Sequence, residues 1–359
     1  MKDNNFKNYH KKYVSKIDLA IESYFDKWNN EVAQISPRLL PLLTVLQEGC
    51  KGGKRIRGVL VALGYSLFTD ASSNSEKEKA ITQVAVAYEI FQTAILAHDD
   101  IIDKSELRRG MPTLYQQLGN NHYGVSQTIC IGDLGFFTAY KIISETAFPD
   151  ALKIKAISFF SDSITKTLFG EMLDVEFAHK KVDVAEQLLT EVLTVYALKT
   201  AYYTFVAPLS LGAILAGADE NVLRQIKTFG ENVGVLFQVN DDINDIFGDT
   251  NTTKKDIGAD VKEGKITLLY AKAMQLANAK QHDDLSKLYG KALIDEKTLK
   301  EVQKIFVETG ALAHVTSLAE TYEAKARAAI ETISQEKSTQ QLLHQIVDFV
   351  SEKKKESHD

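Results

Sequence analysis

Two aspartate runs of the same shape stand out in this chain: Asp99-Asp100-Ile101-Ile102-Asp103 and Asp241-Asp242-Ile243-Asn244-Asp245. Each follows an apolar stretch, Ala94-Ile95-Leu96-Ala97 in the first case and Val233-Gly234-Val235-Leu236-Phe237 in the second. Each therefore reads as the end of a buried helix. Side chains four apart share a helix face, so Asp99 stacks on Asp103 and Asp241 on Asp245. Like charges at that spacing destabilise a helix, and an unpaired carboxylate beside apolar residues costs more again. A chain that does this twice calls for a cation. Carboxylate-only ligands select a hard ion such as Mg²⁺, which keeps several waters and is held by one or two carboxylates plus substrate phosphates. Paired Asp runs thus predict a phosphorylated substrate. Zinc would want further His or Cys ligands; His98 precedes Asp99, but no second His is placed to help.

Basic residues supply the other half of such a site. Gly52-Gly53-Lys54-Arg55-Ile56-Arg57 puts a flexible loop with three cations at a helix start, where loop amides, the helix dipole and the side chains can hold a diphosphate. Arg108-Arg109-Gly110 lies just past the first Asp run. Lys199-Thr200 opens a long uncharged segment, where a lysine either snorkels or faces an anion. Lys255-Asp256 and Asp260 through Lys265 form a Gly-containing loop after the second run, and two lysines there could close over phosphates. Acids and cations at the mouth of a helical cavity with apolar residues below suit a diphosphate head on a hydrocarbon tail.

The elements that must position these groups read as helices throughout, with no convincing alternating strand. Expected helices cover 14–33, a Leu39–Leu46 segment after the Ser36-Pro37 break, 55–69, and a long apolar stretch from about Lys77 to Asp103. Loops fall near Gly110-Met111-Pro112, Asn120-Asn121, Phe148-Pro149-Asp150, 180–183, 217–221 and 248–258. None is rich enough in Pro, Gly or Ser to be a domain linker, so the reading is one all-α domain over 1–350 with a charged tail at 351–359. With 359 residues, 45% hydrophobic and 25% charged, the composition is that of a globular protein, and only 5 prolines favour helices over a turn-rich β fold. A net charge of −6 argues against a nucleic-acid partner. Two cysteines, Cys50 and Cys130, allow neither a disulfide framework nor a zinc site, and with no apolar signal core at the N-terminus they point to the cytosol. The uncharged run Thr200–Ala218 is the strongest membrane-like signal, but its clean apolar part is short, and a buried core helix is expected there.

The ordered strings GGKRIRG (52–58), HDDIIDKSELRRGMPT (98–113), GEMLDVEF (170–177), LKT (198–200), FQVNDDINDIFGD (237–249) and KKDIGADVKEGKITLL (254–269) resemble the trans-isoprenyl diphosphate synthases, or polyprenyl synthetases. The resemblance spans most of the chain. It implies the isoprenoid synthase fold, an all-α bundle around a deep central cavity, usually a homodimer. It implies a reaction in which isopentenyl diphosphate is joined to an allylic diphosphate (dimethylallyl, geranyl or farnesyl), with three Mg²⁺ ions. Asp99, Asp100, Asp103 and Arg108 would hold the allylic diphosphate, with Asp99 and Asp103 on the metal. Asp241 and Asp245 would bind a further Mg²⁺. Lys54, Arg57, Arg109 and Gln92 would bind the diphosphate of isopentenyl diphosphate. Lys199, Thr200, Gln238 and Lys255 would touch the allylic substrate or its leaving group, with Lys265 close by.

Two positions depart from the family pattern. Gly58 stands where Pro is usual, read as a change in loop stiffness. Glu171 stands where Gln is usual and adds a negative charge near the cavity. Short-chain members carry an aromatic four or five residues before the first Asp; here those positions are Ile95 and Ala94, which suggests a product longer than C15. Phe91 and Tyr88 lie about 12 and 16 Å deeper at about 1.5 Å per residue. As a cavity floor they make C20 geranylgeranyl diphosphate the first choice, with C25–C35 as the alternative; they could instead simply pack against a neighbouring helix. Three other readings are weaker. A terpene cyclase would carry a different second metal motif, a non-catalytic subunit a damaged Asp run, and a phosphohydrolase using His98-Asp99 further His ligands.

Overall fold

The computed structural model describes residues 5–69, 74–108, 110–179, 186–248, 257–291 and 295–355. Helices follow one another almost without interruption: α1 (Phe6–Ile35), α2 (Leu40–Gly49), α3 (Ile56–Ser66), α4 (Ser75–Ile102), α5 (Leu114–Gln117), α6 (His122–Glu145), α7 (Asp150–His179), α8 (Glu186–Val195), a π-helical stretch (Tyr196–Val206), α9 (Ala207–Leu215) and α10 (Glu220–Phe247). After the second Asp run come α11 (Ala259–Glu263), α12 (Leu268–Leu276), α13 (Ala279–Leu288), α14 (Glu296–Glu308), α15 (Ala311–Ile333) and α16 (Lys337–Lys355). The all-α reading is borne out with one small exception. A hairpin of β1 (Leu107–Arg108) and β2 (Met111–Pro112) pairs antiparallel across Gly110, whose φ of +76° suits glycine. Strands of two residues have no alternation to read. By contacts the chain forms two compact units: the residues up to Ser161 with Pro208–Leu223, and Asp162–Ala207 with Arg224 onward.

In the first unit α4 is the axis. Asn74 caps its start, accepting from the backbone N–H groups of Glu76 and Lys77, and Glu76 and Glu78 sit in the first turn where the helix dipole favours acids. Sixteen of its residues are buried, from Ala80 to Asp100. By length and hydropathy α4 could cross a bilayer, yet 83% of the qualifying window is buried within the protein, which makes it a core helix. The expected membrane-like run was the later one at 200–218. Tyr9, Tyr13, Ile17, Ile21 and Phe25 form the buried stripe of α1 at four-residue spacing. Ser36 ends α1 and its hydroxyl accepts from Arg38 N–H, as the Ser-Pro break predicts. Helices α3 and α9 touch backbone to backbone. A Cβ on Gly64 would stand 2.1 Å from the Leu209 carbonyl oxygen, and one on Gly212 equally close to that of Val61.

The second unit is built around α10 and the π-helical stretch. A Cβ on Gly234 would lie 2.3 Å from Ala201 Cα, and one on Gly170 2.5 Å from Lys199 N, so the stretch is gripped closely by α10 and α7. Ile330, Leu343, Ile346, Val347 and Val350 of α15 and α16 complete this unit's core. Asn240, next to Asp241, donates its amide to the Val350 carbonyl at 3.1 Å, which fixes the last turns of α10 against α16.

Candidate functional site

The first Asp run closes α4 as expected: Asp103 is the C-cap, its N–H donating to the Asp99 carbonyl at 2.8 Å. Carboxylates there meet the negative end of the helix dipole as well as each other. Arg108 answers this. The β1–β2 hairpin folds it back so that its guanidinium donates to Asp99 Oδ2 at 2.9 Å and to Asp100 Oδ1 at 2.7 Å. Asp100 is only 1% exposed, and burial pushes its carboxyl above its ordinary value against the pull of Arg108. The run thus divides by role. Asp100 points inward and anchors the arginine, while Asp99 and the exposed Asp103 form the outward pair. His98 turns away from them to the Ile129 carbonyl, 3.1 Å off, and packs edge-on to Phe136. Its Nε2 also lies 3.8 Å from Asp133 Oδ1, so the ring is engaged by α6.

The glycine loop brings a second group to the same cavity. Gly52 and Gly53 both adopt positive φ, and with Gln92, Asp100 and Arg108 they line a space of about 490 Å³. Lys54 is exposed and Arg57 half-buried. Arg55, counted among the loop's three cations, also lines this space, but its guanidinium is taken up by acids. Its φ of +50° turns it inward, 5% exposed, to Asp18 Oδ1 at 2.8 Å and Glu89 Oε2 at 3.5 Å. Glu89 also accepts the Gly58 N–H at 2.7 Å. Gly58 is therefore a residue of the first turn of α3 and not of the loop, and it supplies a donor that proline lacks. That corrects the loop-stiffness reading.

Along α4 before Asp99 the residues Ala94-Ile95-Leu96-Ala97 are apolar. Ala94 is fully buried against Gly135. Deeper, Phe91 and Tyr88 join Phe136, Tyr140 and Phe160 in a ring cluster, with Phe91–Phe160 centroids 5.0 Å apart and Tyr88–Phe160 5.6 Å apart. They do pack against neighbouring helices, and the ring contacts hold them in place. Offset and edge-to-face ring pairs add about 0.5–1.5 kcal/mol each beyond area burial.

In the second unit, Lys199 Nζ lies 2.7 Å from both Glu171 Oε2 and Asp174 Oδ2. The added charge at 171 therefore sits on the lysine itself. Thr200 donates to Gln238 Oε1 at 2.7 Å, and Gln238 Nε2 donates to Asp242 Oδ1 at 2.7 Å. The other Asp242 oxygen receives the Tyr196 hydroxyl, which in turn accepts the Leu268 N–H at 3.0 Å. Burial, then the nearby charge of Asp260, pushes the Asp242 carboxyl well above its ordinary value. This run repeats the division of the first, with the middle Asp inward and 3% exposed, and Asp241 and Asp245 partly open. Asp245 Oδ2 accepts the Asp260 N–H at 3.0 Å, and Lys265 Nζ is 3.9 Å from Asp260 Oδ1. Lys199, Thr200, Gln238, Asp241, Asp245 and Lys265 all belong to this unit. Arg109 and Lys255 lie outside the described residues.

The donors suit magnesium. Each outward set is a pair of carboxylates one helical turn apart, and among the described residues no three His, Cys, Asp or Glu side chains cluster to enclose a metal. A Mg²⁺ ion there needs water and substrate oxygens to complete its shell. Sequence reasoning missed Glu89 and Tyr196 and misread Arg55, all buried and acting through partners distant in the chain. The positive φ of Arg55 left no trace in the composition of its loop.

A family model described as "Polyprenyl synthetase" matches residues 41–306. A geranylgeranyl diphosphate synthase of Sulfolobus acidocaldarius is 30% identical over 352 residues, covering 97% of each chain. A geranylfarnesyl diphosphate synthase of Aeropyrum pernix is 30% identical over 309 residues, 85% of this chain and 91% of the other. Among solved structures, a geranylgeranyl pyrophosphate synthase of Corynebacterium glutamicum, complexed with isoprenyl diphosphate and magnesium, superposes with a TM-score of 0.87 at 25% identity, covering 96% of this chain and 99% of that one.

Proposed function

The chain belongs to the polyprenyl synthetase family and is a prenyltransferase, and on that premise we propose that it extends an allylic diphosphate with isopentenyl diphosphate to give all-trans geranylgeranyl diphosphate, C20. Its substrates are isoprenoid diphosphates. The observation that carries the reading is the Arg108 bridge across Asp99 and Asp100, beside a glycine-loop cavity and at the end of a helix whose small residues give way to packed rings. Asp99 and Asp103, and Asp241 and Asp245, would hold Mg²⁺, three ions in all. When bound, the metal supplies Lewis-acid neutralisation of the diphosphate charge. Arg108, Lys199, Thr200 and Gln238 add hydrogen bonds and positive charge where the leaving diphosphate gains negative charge. The loop amides of Gly52 and Gly53, with Lys54, Arg57 and Gln92, hold the diphosphate of isopentenyl diphosphate so that its double bond meets the allylic carbon. Ala94, Ile95 and Phe91 give the cation an apolar, water-excluding wall. No side chain among these is a ready base, and the released diphosphate takes the proton.

The C20 product follows from Phe91 and Tyr88 as floor. The C25–C35 alternative keeps its place because α4 carries Ile95 and Ala94, and no aromatic, four and five residues before Asp99. We further propose a cytosolic homodimer. Phe137, 75% exposed, with Ile129 and Leu134 on α6, presents an apolar face suited to a second copy. Purified protein with isopentenyl and farnesyl diphosphates and Mg²⁺ should release geranylgeranyl diphosphate, and a chelator should stop it. A product no longer than farnesyl would refute the chain length, and no product at all would favour a non-catalytic subunit. Full activity in Asp99→Ala would overturn the site. Light scattering at a monomer mass would overturn the dimer.

A further inference from the structure

The face of the second Asp run that points away from Asp241 and Asp245 is wired to the rest of its unit by one phenol. Tyr196 is 5% exposed at the start of the π-helical stretch. Its hydroxyl donates to the carboxylate of Asp242 and accepts the backbone N–H of Leu268, the first residue of α12. Three segments far apart in the chain meet at that oxygen: the stretch that carries Lys199 and Thr200, the last turns of α10, and the end of the segment that carries Lys265. The same Asp242 takes its second hydrogen bond from Gln238, and Gln238 takes one from Thr200. The network is closed, because both Asp242 oxygens and the phenol oxygen are bonded on all the sides described.

We infer that Tyr196 is a positioning residue for the second aspartate run, setting the rotation of α10 at Asp241 and Asp245 and tying it to the Lys265 segment. Asp242 follows Asp241 directly and precedes Asp245 by three residues. Pinning the Asp242 side chain on the inner face therefore fixes where its two neighbours point on the outer one. A ligand pair for Mg²⁺ tolerates little misdirection, since the ion demands near-ideal octahedral geometry. Partners that orient the ligands of a metal site are typically worth about 10–100-fold in metal affinity or activity. A phenol does this without adding charge, and at a buried site a charged partner would have to be desolvated as well. The Leu268 N–H adds a second consequence. A shift of the Asp run is felt at the start of α12, so the segment from Gly258 to Thr267 moves with it.

The inference rests on the reading of Asp241 and Asp245 as metal ligands, and the test separates the two. Mg²⁺ is titrated calorimetrically into protein saturated with inorganic diphosphate, for the native chain, Asp241→Ala and Tyr196→Phe, with circular dichroism to check folding. Tyr196→Phe should weaken Mg²⁺ binding about 10–100-fold. It should also raise the Mg²⁺ needed for half-maximal rate, and leave KM for isopentenyl diphosphate unchanged. If Asp241→Ala weakens Mg²⁺ binding and Tyr196→Phe does not, the positioning role is wrong. If neither does, the ligand reading itself is wrong. Should Tyr196→Phe fail to fold, hydrogen exchange on the native protein decides: Mg²⁺ with inorganic diphosphate should slow exchange at the end of α10 and at Leu268 together. Protection of the α10 amides without Leu268 overturns the inference.

Discussion

Glu171→Gln should tighten the allylic substrate. Lys199 Nζ is shared at 2.7 Å between Glu171 and Asp174, and all three side chains are a fifth exposed or less. Two carboxylates on one ammonium leave the group net negative where, on the proposed function, an anionic diphosphate arrives. The amide is nearly the same size and still offers an oxygen to Lys199, so the change is one of charge with little change of shape. A unit charge about 4 Å away is worth about 1 kcal/mol in water and about 4 kcal/mol at an effective dielectric near 20. Asp174 stays in place and the site is partly wet, which favours the lower part of that range. An effect of about 1–2 kcal/mol corresponds to a factor of about 5–30. KM for farnesyl diphosphate should fall by that factor, with KM for isopentenyl diphosphate unmoved. Steady-state kinetics over a salt series reads it, and the difference between native and variant should shrink only modestly with salt, because partly buried pairs are weakly screened. An unchanged or higher KM for farnesyl diphosphate in Glu171→Gln would refute the reasoning, and would mean that Glu171 assists the substrate and does not merely occupy Lys199.

Three further expectations follow from contacts described above. Gly58→Pro, which restores the residue usual in the family, should lower stability by about 1–3 kcal/mol in a denaturant titration, since Glu89 loses the 2.7 Å backbone donor; a gain in stability would show that the Gly58–Glu89 bond is dispensable. Gly64→Ala should cost about 1–3 kcal/mol or more, because its Cβ would stand 2.1 Å from a backbone oxygen that only a helix shift can move; native-like melting would contradict the α3–α9 contact. Phe91→Ala should lengthen the product beyond C20 while losing about 3–5 kcal/mol of stability. An unchanged product from a folded variant would remove Phe91 from the floor.

Both Asp runs, the glycine loop and the long apolar helix were legible because each is local. An acid pair at four-residue spacing and a glycine pair beside cations announce themselves within a dozen residues. Less legible was the inner half of each run. Nothing in the string Asp-Asp-Ile says that the second carboxylate turns inward, and Asp100 and Asp242 do so only because Arg108, Gln238 and Tyr196 are there to meet them. Arg55 shows the same limit. It sits between Lys54 and Arg57 in a basic string, and a left-handed backbone angle alone diverts it to Glu89, 34 residues away. The wide turns at Tyr196–Val206 were invisible for another reason: an apolar run read with a period of 3.6 residues gives no sign that the hydrogen bonds have slipped by one.

That slip has a consequence for how the chain tolerates changes of length. In an α-helix each residue advances by about 100°, so removing one residue swings everything beyond it by that angle. A π-helical stretch is where a surplus residue is already absorbed. Deleting a single residue between Tyr196 and Val206 would let α8 run into α9 as one continuous α-helix, the flanking faces kept in step while the residues inside the stretch turn. Lys199 and Thr200 are among those residues. In this segment chain length acts as an angular setting, and a one-residue gap in an alignment would mark a rotated Lys199-Thr200 pair in a helix that has lost nothing else.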